Sequence, residues 1–234
     1  MAIADNVAEI QERLAASARR AGRDAREVTL MGVSKTFPAE TIIEAYAAGI
    51  RVFGENRVQE FSEKSASLNL PEAEWHLIGH LQSNKAAKAA ELFHAVDSVD
   101  SLRLAERLNS AAQALGKKLR VLIEINIGGE DAKTGLRADS AELEQLLQAT
   151  PSLNHLEVQG LMAIPPFAEN PEEARPNFRK LRELRDATSK RNLPGVGMEV
   201  LSMGMSHDFE VAIEEGSTCV RVGTAIFGNR AWAI

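Results

Sequence analysis

A chain of 234 residues, 44% hydrophobic and 26% charged, has the composition of an ordinary globular protein and excludes a disordered one. Its formal net charge of -6 at pH 7 repels a polyanion such as DNA, so nucleic acid is not an expected partner, although a local basic patch can still hold one phosphate. The single cysteine, Cys219, leaves no intrachain disulfide, and no run approaches the ~20 apolar residues of a membrane span, so a reducing, cytoplasmic setting without membrane contact is expected.

The first twenty residues carry Asp5 and Glu9 early and have no continuous apolar stretch, which rules out a signal peptide. Short β-branched runs follow, alternating with amphipathic segments rich in Ala, Leu and Glu. The predicted strands of the first half are VTLMGVS from Val28, RVFGEN from Arg51, WHLIGH from Trp75 and HAVDSV from His94. Those of the second half are LRVLIEINI from Leu119, LEVQGLMAI from Leu156, MEVLSMG from Met198 and TCVRVG from Thr218. Each except the last is followed by a helix-like stretch, the pattern of a parallel sheet. About eight βα units in a chain of this length point to an α/β fold with one (β/α)8 TIM-type barrel over residues 1–234; an open doubly wound sheet is the alternative. GGEDAKTG from Gly128 and PPFAENP from Pro165 are the predicted long loops, each directly after a strand, the end of a barrel that carries function.

Lys35 ends the first predicted strand. Alternation places it on the face of Met31 and Val33, so its amine emerges from an apolar row at the functional end. Desolvation there favours the neutral amine, the form that attacks an aldehyde, whereas the plain alternative is a solvent-exposed strand-end lysine. In the last strand Cys219 and Arg221 share one face, and Thr218, Val220 and Val222 the other. Arg221 thus interrupts an apolar strand with a permanent charge that only donates hydrogen bonds, either to a carboxylate across the barrel or to a ligand.

Gly223 at the strand exit lets backbone N–H groups approach a phosphate, and Thr224 adds a hydroxyl donor. The preceding strand leads into Ser202-Met203-Gly204-Met205-Ser206-His207-Asp208, with a helix predicted to begin near Ser206. A helix N-terminus attracts phosphate, so Ser206 either caps that helix or meets the anion, and Ser202 is a second candidate. Asn56 closes the second strand as either a helix N-cap or a ligand contact.

His76 and His80 have the H-x-x-x-H spacing of a zinc helix, but on a strand they stand roughly 13 Å apart, too far to share an ion. No metal site is expected. Lys133-Thr134-Gly135 lacks the full phosphate-loop pattern. Lys85 and Lys88 read as a solvated helix face, and Cys219, Trp75 and Trp232 as packing residues.

GVSKTFP, FGENRVQEF from Phe53, WHLIGHLQSNK from Trp75, GLMAIPP from Gly160, LSMGMSHDFEVAI from Leu201 and GSTCVRVGTAIFG from Gly216 run in order from the first strand to the last. Together they closely resemble the pyridoxal phosphate homeostasis protein family, also described as the YggS/PROSC proteins. The resemblance implies a fold similar to the N-terminal barrel of alanine racemase (fold type III), with pyridoxal 5′-phosphate (PLP) bound as a Schiff base on Lys35. It further implies that Arg221 faces the pyridine nitrogen and that Asn56 lies at the cofactor. An arginine there leaves the ring nitrogen unprotonated, where an Asp would make the ring a strong electron sink, which argues against a transaminase.

The expected function is that of a PLP carrier in intracellular PLP homeostasis, without enzymatic turnover and without catalytic residues. Its expected partners are PLP and recipient PLP-dependent apo-enzymes, and it is expected to be a monomer or weak homodimer. A PLP-dependent amino-acid racemase is the alternative, but racemases resembling this barrel add a C-terminal β-domain. Here only TAIFGNRAWAI follows Gly223, and the sole tyrosine, Tyr46, falls in the helix after Lys35. A cofactor-free Schiff-base aldolase would not need Arg221.

Overall fold

The computed structural model describes residues 2–130 and 134–228; Lys133 and Trp232 lie outside the described residues. The N-terminal segment forms α1 (Ile3–Arg20), which buries Val7, Ile10, Leu14, Ser17 and Ala18. Their spacing of three and four residues makes one apolar stripe. Eight strands follow: β1 (Thr29–Val33), β2 (Val52–Glu55), β3 (Glu74–Leu77), β4 (Ala95–Val99), β5 (Leu119–Ile125), β6 (Leu156–Ala163), β7 (Val196–Met205) and β8 (Cys219–Val222). Between them lie α2 (Ala39–Ala47), α3 (Val58–Ser65), α4 (Ala86–Leu92), α5 (Leu102–Ala114), α6 (Ala141–Ala149), α7 (Arg175–Lys190) and α8 (Phe209–Glu214), and α9 (Thr224–Phe227) follows β8.

Every strand pairs in parallel with its sequence neighbours, and β8 closes onto β1 with Met31 opposite Arg221. This is the closed (β/α)8 barrel, not the open sheet. Alternation divides each strand between two layers. Outward residues such as Phe53, Leu77, Val121, Leu201, Val220 and Val222 join the helices in one continuous apolar core. Inward, Met31, Val33, Ile78 and Cys219 form a small separate cluster inside the barrel.

The barrel interior is therefore apolar only in part. Among the inward or mouth-facing groups are His76, Asp97, Glu124, Ser202 and Arg221, all buried or nearly so. His76 binds both carboxylate oxygens of Asp97 at 3.1 Å and approaches Glu74 at 3.7 Å. It is a structural ion-pair residue, as its strand position suggested. His80 lies beyond the end of β3 in the following loop, and among the described residues no cluster of His, Cys, Asp and Glu could hold a metal ion. Among them, too, no helix is long and apolar enough to cross a membrane.

β7 contains the feature that shapes the mouth. Its pairing with β8 shifts register between Ser202 and Met205, where Gly204 has φ +93°. A Cβ added to Gly204 would lie 2.5 Å from Ala212 Cβ, so glycine is required by both backbone and neighbour.

Candidate functional site

Lys35 leaves the end of β1 half-buried, with Nζ 3.5 Å from Asn56 Oδ1 at the end of β2. Asn56 does not cap α3: the N-cap is Arg57, without a side-chain bond. Asn56 instead packs against Gly79, where an added Cβ would meet its carbonyl oxygen at 2.3 Å and its Cγ at 2.8 Å. The bare glycine keeps the amide beside the lysine.

A quarter of the way round the barrel, Ser206 Oγ accepts hydrogen bonds from the N–H groups of Gly223 at 3.2 Å and Ala225 at 3.4 Å. The expected helix at Ser206 begins later, at Phe209. Its start is delayed because Asp208 Oδ1 accepts the Met205 N–H at 2.6 Å and closes a turn ahead of it. Ser206 is therefore free of capping duty and faces the exit of β8. The Ser206 hydroxyl, held by these two N–H groups, keeps its own proton to donate, and with the exposed Thr224 hydroxyl at the exit of β8 it supplies donors suited to a phosphate.

Arg221 is 3% exposed. Its Nη1 donates to Ser202 Oγ at 2.6 Å and its Nη2 to the Ala163 carbonyl at 2.8 Å. Among the described residues it forms no ion pair, which removes the cross-barrel salt bridge as its explanation. Burial pulls its pKa down, while the more distant charges of Asp97, Asp208 and Glu124 oppose that fall. The remaining guanidinium N–H groups are available to an acceptor in the barrel mouth. Ser202 is completely buried and its hydroxyl oxygen is engaged by Arg221, so its observed partner is the arginine and not the donor set around Ser206.

Two acids complete the electrostatics. Glu124 on β5 is 5% exposed; its Oε1 accepts the Thr134 hydroxyl at 2.7 Å, and its Oε2 has no hydrogen-bond partner among the described residues. Burial pushes its pKa up, as does the charge of Asp100. Burial likewise raises that of Asp208. The half-exposed His80 pairs with Asp100 through Nδ1 at 3.0 Å. Sequence reasoning passed over Glu124, although it interrupts an apolar strand in the way Arg221 does, and passed over Glu55, Glu60 and Lys64, whose partners are distant in the chain.

Fold and site together define a barrel of the alanine racemase type: the family described as "Alanine racemase, N-terminal domain" matches residues 2–231. The pyridoxal phosphate homeostasis protein of Aquifex aeolicus is 45% identical over 228 residues, covering 97% of this chain and 98% of that protein. The one of Escherichia coli K12 is 44% identical over 234 residues, covering 99% and 98%. The chain belongs to the alanine racemase N-terminal domain family and, within it, to the pyridoxal phosphate homeostasis proteins.

Among solved structures, PipY of Synechococcus elongatus PCC7942 with PLP bound has a TM-score of 0.80 at 41% identity, covering 94% of this chain and 100% of that one. The alanine racemase of Streptomyces coelicolor A3(2) has a TM-score of 0.68 at 22% identity, a likeness of fold alone. This chain covers 59% of the racemase's length.

Proposed function

We propose that this protein binds PLP in the barrel mouth, with Lys35 as the attachment lysine, and serves intracellular PLP homeostasis as a carrier without turnover of its own. The observation that carries the reading is Arg221: buried, unpaired with any described carboxylate, and paired in register with Met31 on the neighbouring strand, four residues before Lys35. The other residues fit the chemistry of the group. Ser206, held by the Gly223 and Ala225 N–H groups, and Thr224 suit its phosphate, Asn56 its ring hydroxyl, and Arg221 its ring nitrogen, with Ser202 acting through Arg221.

PLP, when bound, supplies a carbonyl that combines reversibly with amines. The chain's own residues orient it, and Arg221, a donor only, keeps the ring nitrogen from holding a proton. That withholds the electron sink on which amino-acid chemistry depends. The PLP in PipY and the names of the curated relatives support the reading. The whole of residues 1–234 is taken as one PLP-binding domain, working in the cytoplasm as a monomer or weak homodimer, with PLP-dependent apo-enzymes as recipients. The lone Cys219, buried and with its thiol pushed up to about 12 chiefly by that burial, fits a reducing compartment.

The test is an absorbance spectrum of the PLP-loaded protein, followed by borohydride reduction and peptide mass analysis. The pyridoxyl mass is expected on the Lys35 peptide and absent from Lys35→Ala, whose fold should be retained because little core volume is lost. A label on another lysine in Lys35→Ala would overturn the assignment.

One observation favours the rival racemase reading: the His80–Asp100 pair is an oriented acid–base group near the mouth. Exchange of the α-proton of L- and D-alanine with solvent deuterium separates the two. The carrier reading expects little or none; robust Lys35-dependent exchange would install the racemase.

A further inference from the structure

Lys35 occupies a tight turn in which the Phe37 N–H donates to the Ser34 carbonyl at 3.1 Å. Thr36, at the third position of that turn, has φ +68°. A β-branched side chain adopts this left-handed backbone only at a cost, and glycine or asparagine is the usual occupant. Such a conformation persists where the surroundings over-determine it.

Here the surroundings are one face of α3. Lys64, its side chain 12% exposed, donates from Nζ to the Ser34 carbonyl at 3.1 Å and the Phe37 carbonyl at 3.4 Å. Glu60, one helical turn earlier and 3.5 Å from the same Nζ, accepts the Thr36 N–H at 2.5 Å. Beneath them Glu55 is fully buried; it pairs with Lys64 at 2.8 Å and accepts the Ser34 hydroxyl at 2.6 Å. Residues 34, 36 and 37 are all tied to these three side chains, so the backbone on both sides of Lys35 is fixed.

Stability alone does not account for this group. A buried ion pair is often no more stabilising than well-packed apolar side chains of similar volume, because desolvation offsets the attraction. What the pair provides is direction: a cation held against Glu55 can reach the two carbonyls only in one place. Burial pushes the Glu55 pKa up, and the neighbouring Lys64 charge opposes it, consistent with a pair that depends on its own geometry.

We propose that Lys64, backed by Glu55 and Glu60, is a positioning residue for Lys35: it holds the strand-end turn in its strained form and so sets the path by which the amine enters the barrel mouth. The inference rests on Lys35 being the attachment lysine.

Glu60→Ala removes the acceptor for Thr36, and Glu60→Gln keeps it. PLP affinity is expected to fall about three- to tenfold in Glu60→Ala, the change that follows loss of one hydrogen bond. The near-visible band of the bound cofactor should shift as well, and Glu60→Gln should restore both. Lys64→Met alone leaves a buried unpaired carboxylate, so it is made together with Glu55→Leu. The double variant should remain folded by thermal melting yet bind PLP as weakly as Glu60→Ala or more so. Folded Glu60→Ala and double variants with wild-type affinity and band would overturn the positioning role. Borohydride labelling of Lys35→Ala runs alongside: a persistent label there defeats the attachment reading itself, whereas its loss leaves positioning as the only claim at stake.

Discussion

At the scale of single residues, Arg221 sets the character of the site because it is charged, almost wholly buried and without an ion-pair partner among the described residues. Exchanging it for an acid replaces donors with acceptors at the ring nitrogen and adds a negative charge near the phosphate donors. Arg221→Asp is therefore expected to weaken PLP binding and shift the absorbance band. It also leaves the Ser202 hydroxyl and the Ala163 carbonyl without their donor, at a cost of about 1–3 kcal/mol for a buried group left unsatisfied. A PLP titration followed by absorbance, with a thermal melt beside it, checks both effects; unchanged affinity and band would leave Arg221 a structural residue only.

At the scale of elements, the β7–α8 connection separates two kinds of damage. Ser206→Ala deletes the acceptor for two backbone N–H groups at the exit of β8 but leaves the connection's path intact. It is expected to lower PLP affinity and cost about 1 kcal/mol of stability. Gly204→Ala acts on the path itself. A left-handed alanine costs roughly 1–2 kcal/mol, and the clash with Ala212 adds to it. At about 2–4 °C per kcal/mol for a chain of this size, Gly204→Ala should melt several degrees lower and lose PLP affinity as Ser206 moves. Calorimetry and PLP titration on both variants test the distinction; equal melting losses would refute it.

At the scale of the whole molecule, the buried titratable groups give stability a pH dependence. Burial of His76 pulls its pKa down, but the Asp97 charge and hydrogen bond and the nearby Glu74 carboxylate outweigh it and raise the value from 6.5 to about 9. The folded protein thus holds this proton more tightly than the unfolded chain. The stabilisation is complete below pH 6.5 and disappears as pH rises through about 9, a few kcal/mol at most. The upward shifts of Glu55, Glu124 and Asp208 act in the same direction, since each acid binds its proton more tightly when folded. The melting temperature is expected to fall between pH 6.5 and 9, and His76→Gln should flatten that slope. A melting series across this range decides it; a wild-type profile that rises with pH would show that His76 is not held charged.

β1 ends at Val33, which leaves Lys35 in the turn beyond it and outside the reach of strand alternation. The eight strands, their parallel pairing and the inward face of Arg221 could be read from the chain alone, because alternation along a strand is a local property and each run is short and bounded. The same rule set Cys219 beside Arg221 and apart from Val220 and Val222. It failed where the strand is irregular. The register shift at Gly204 breaks the alternation between Ser202 and Ser206, so only the folded barrel sends the first to Arg221 and the second to Gly223. Periodicity also names a face but never a partner. That Lys64 reaches back thirty residues to the carbonyl of Ser34, or that Arg221 meets Ala163 across fifty-eight, follows from helix packing and barrel closure, which bring together groups that no local pattern connects.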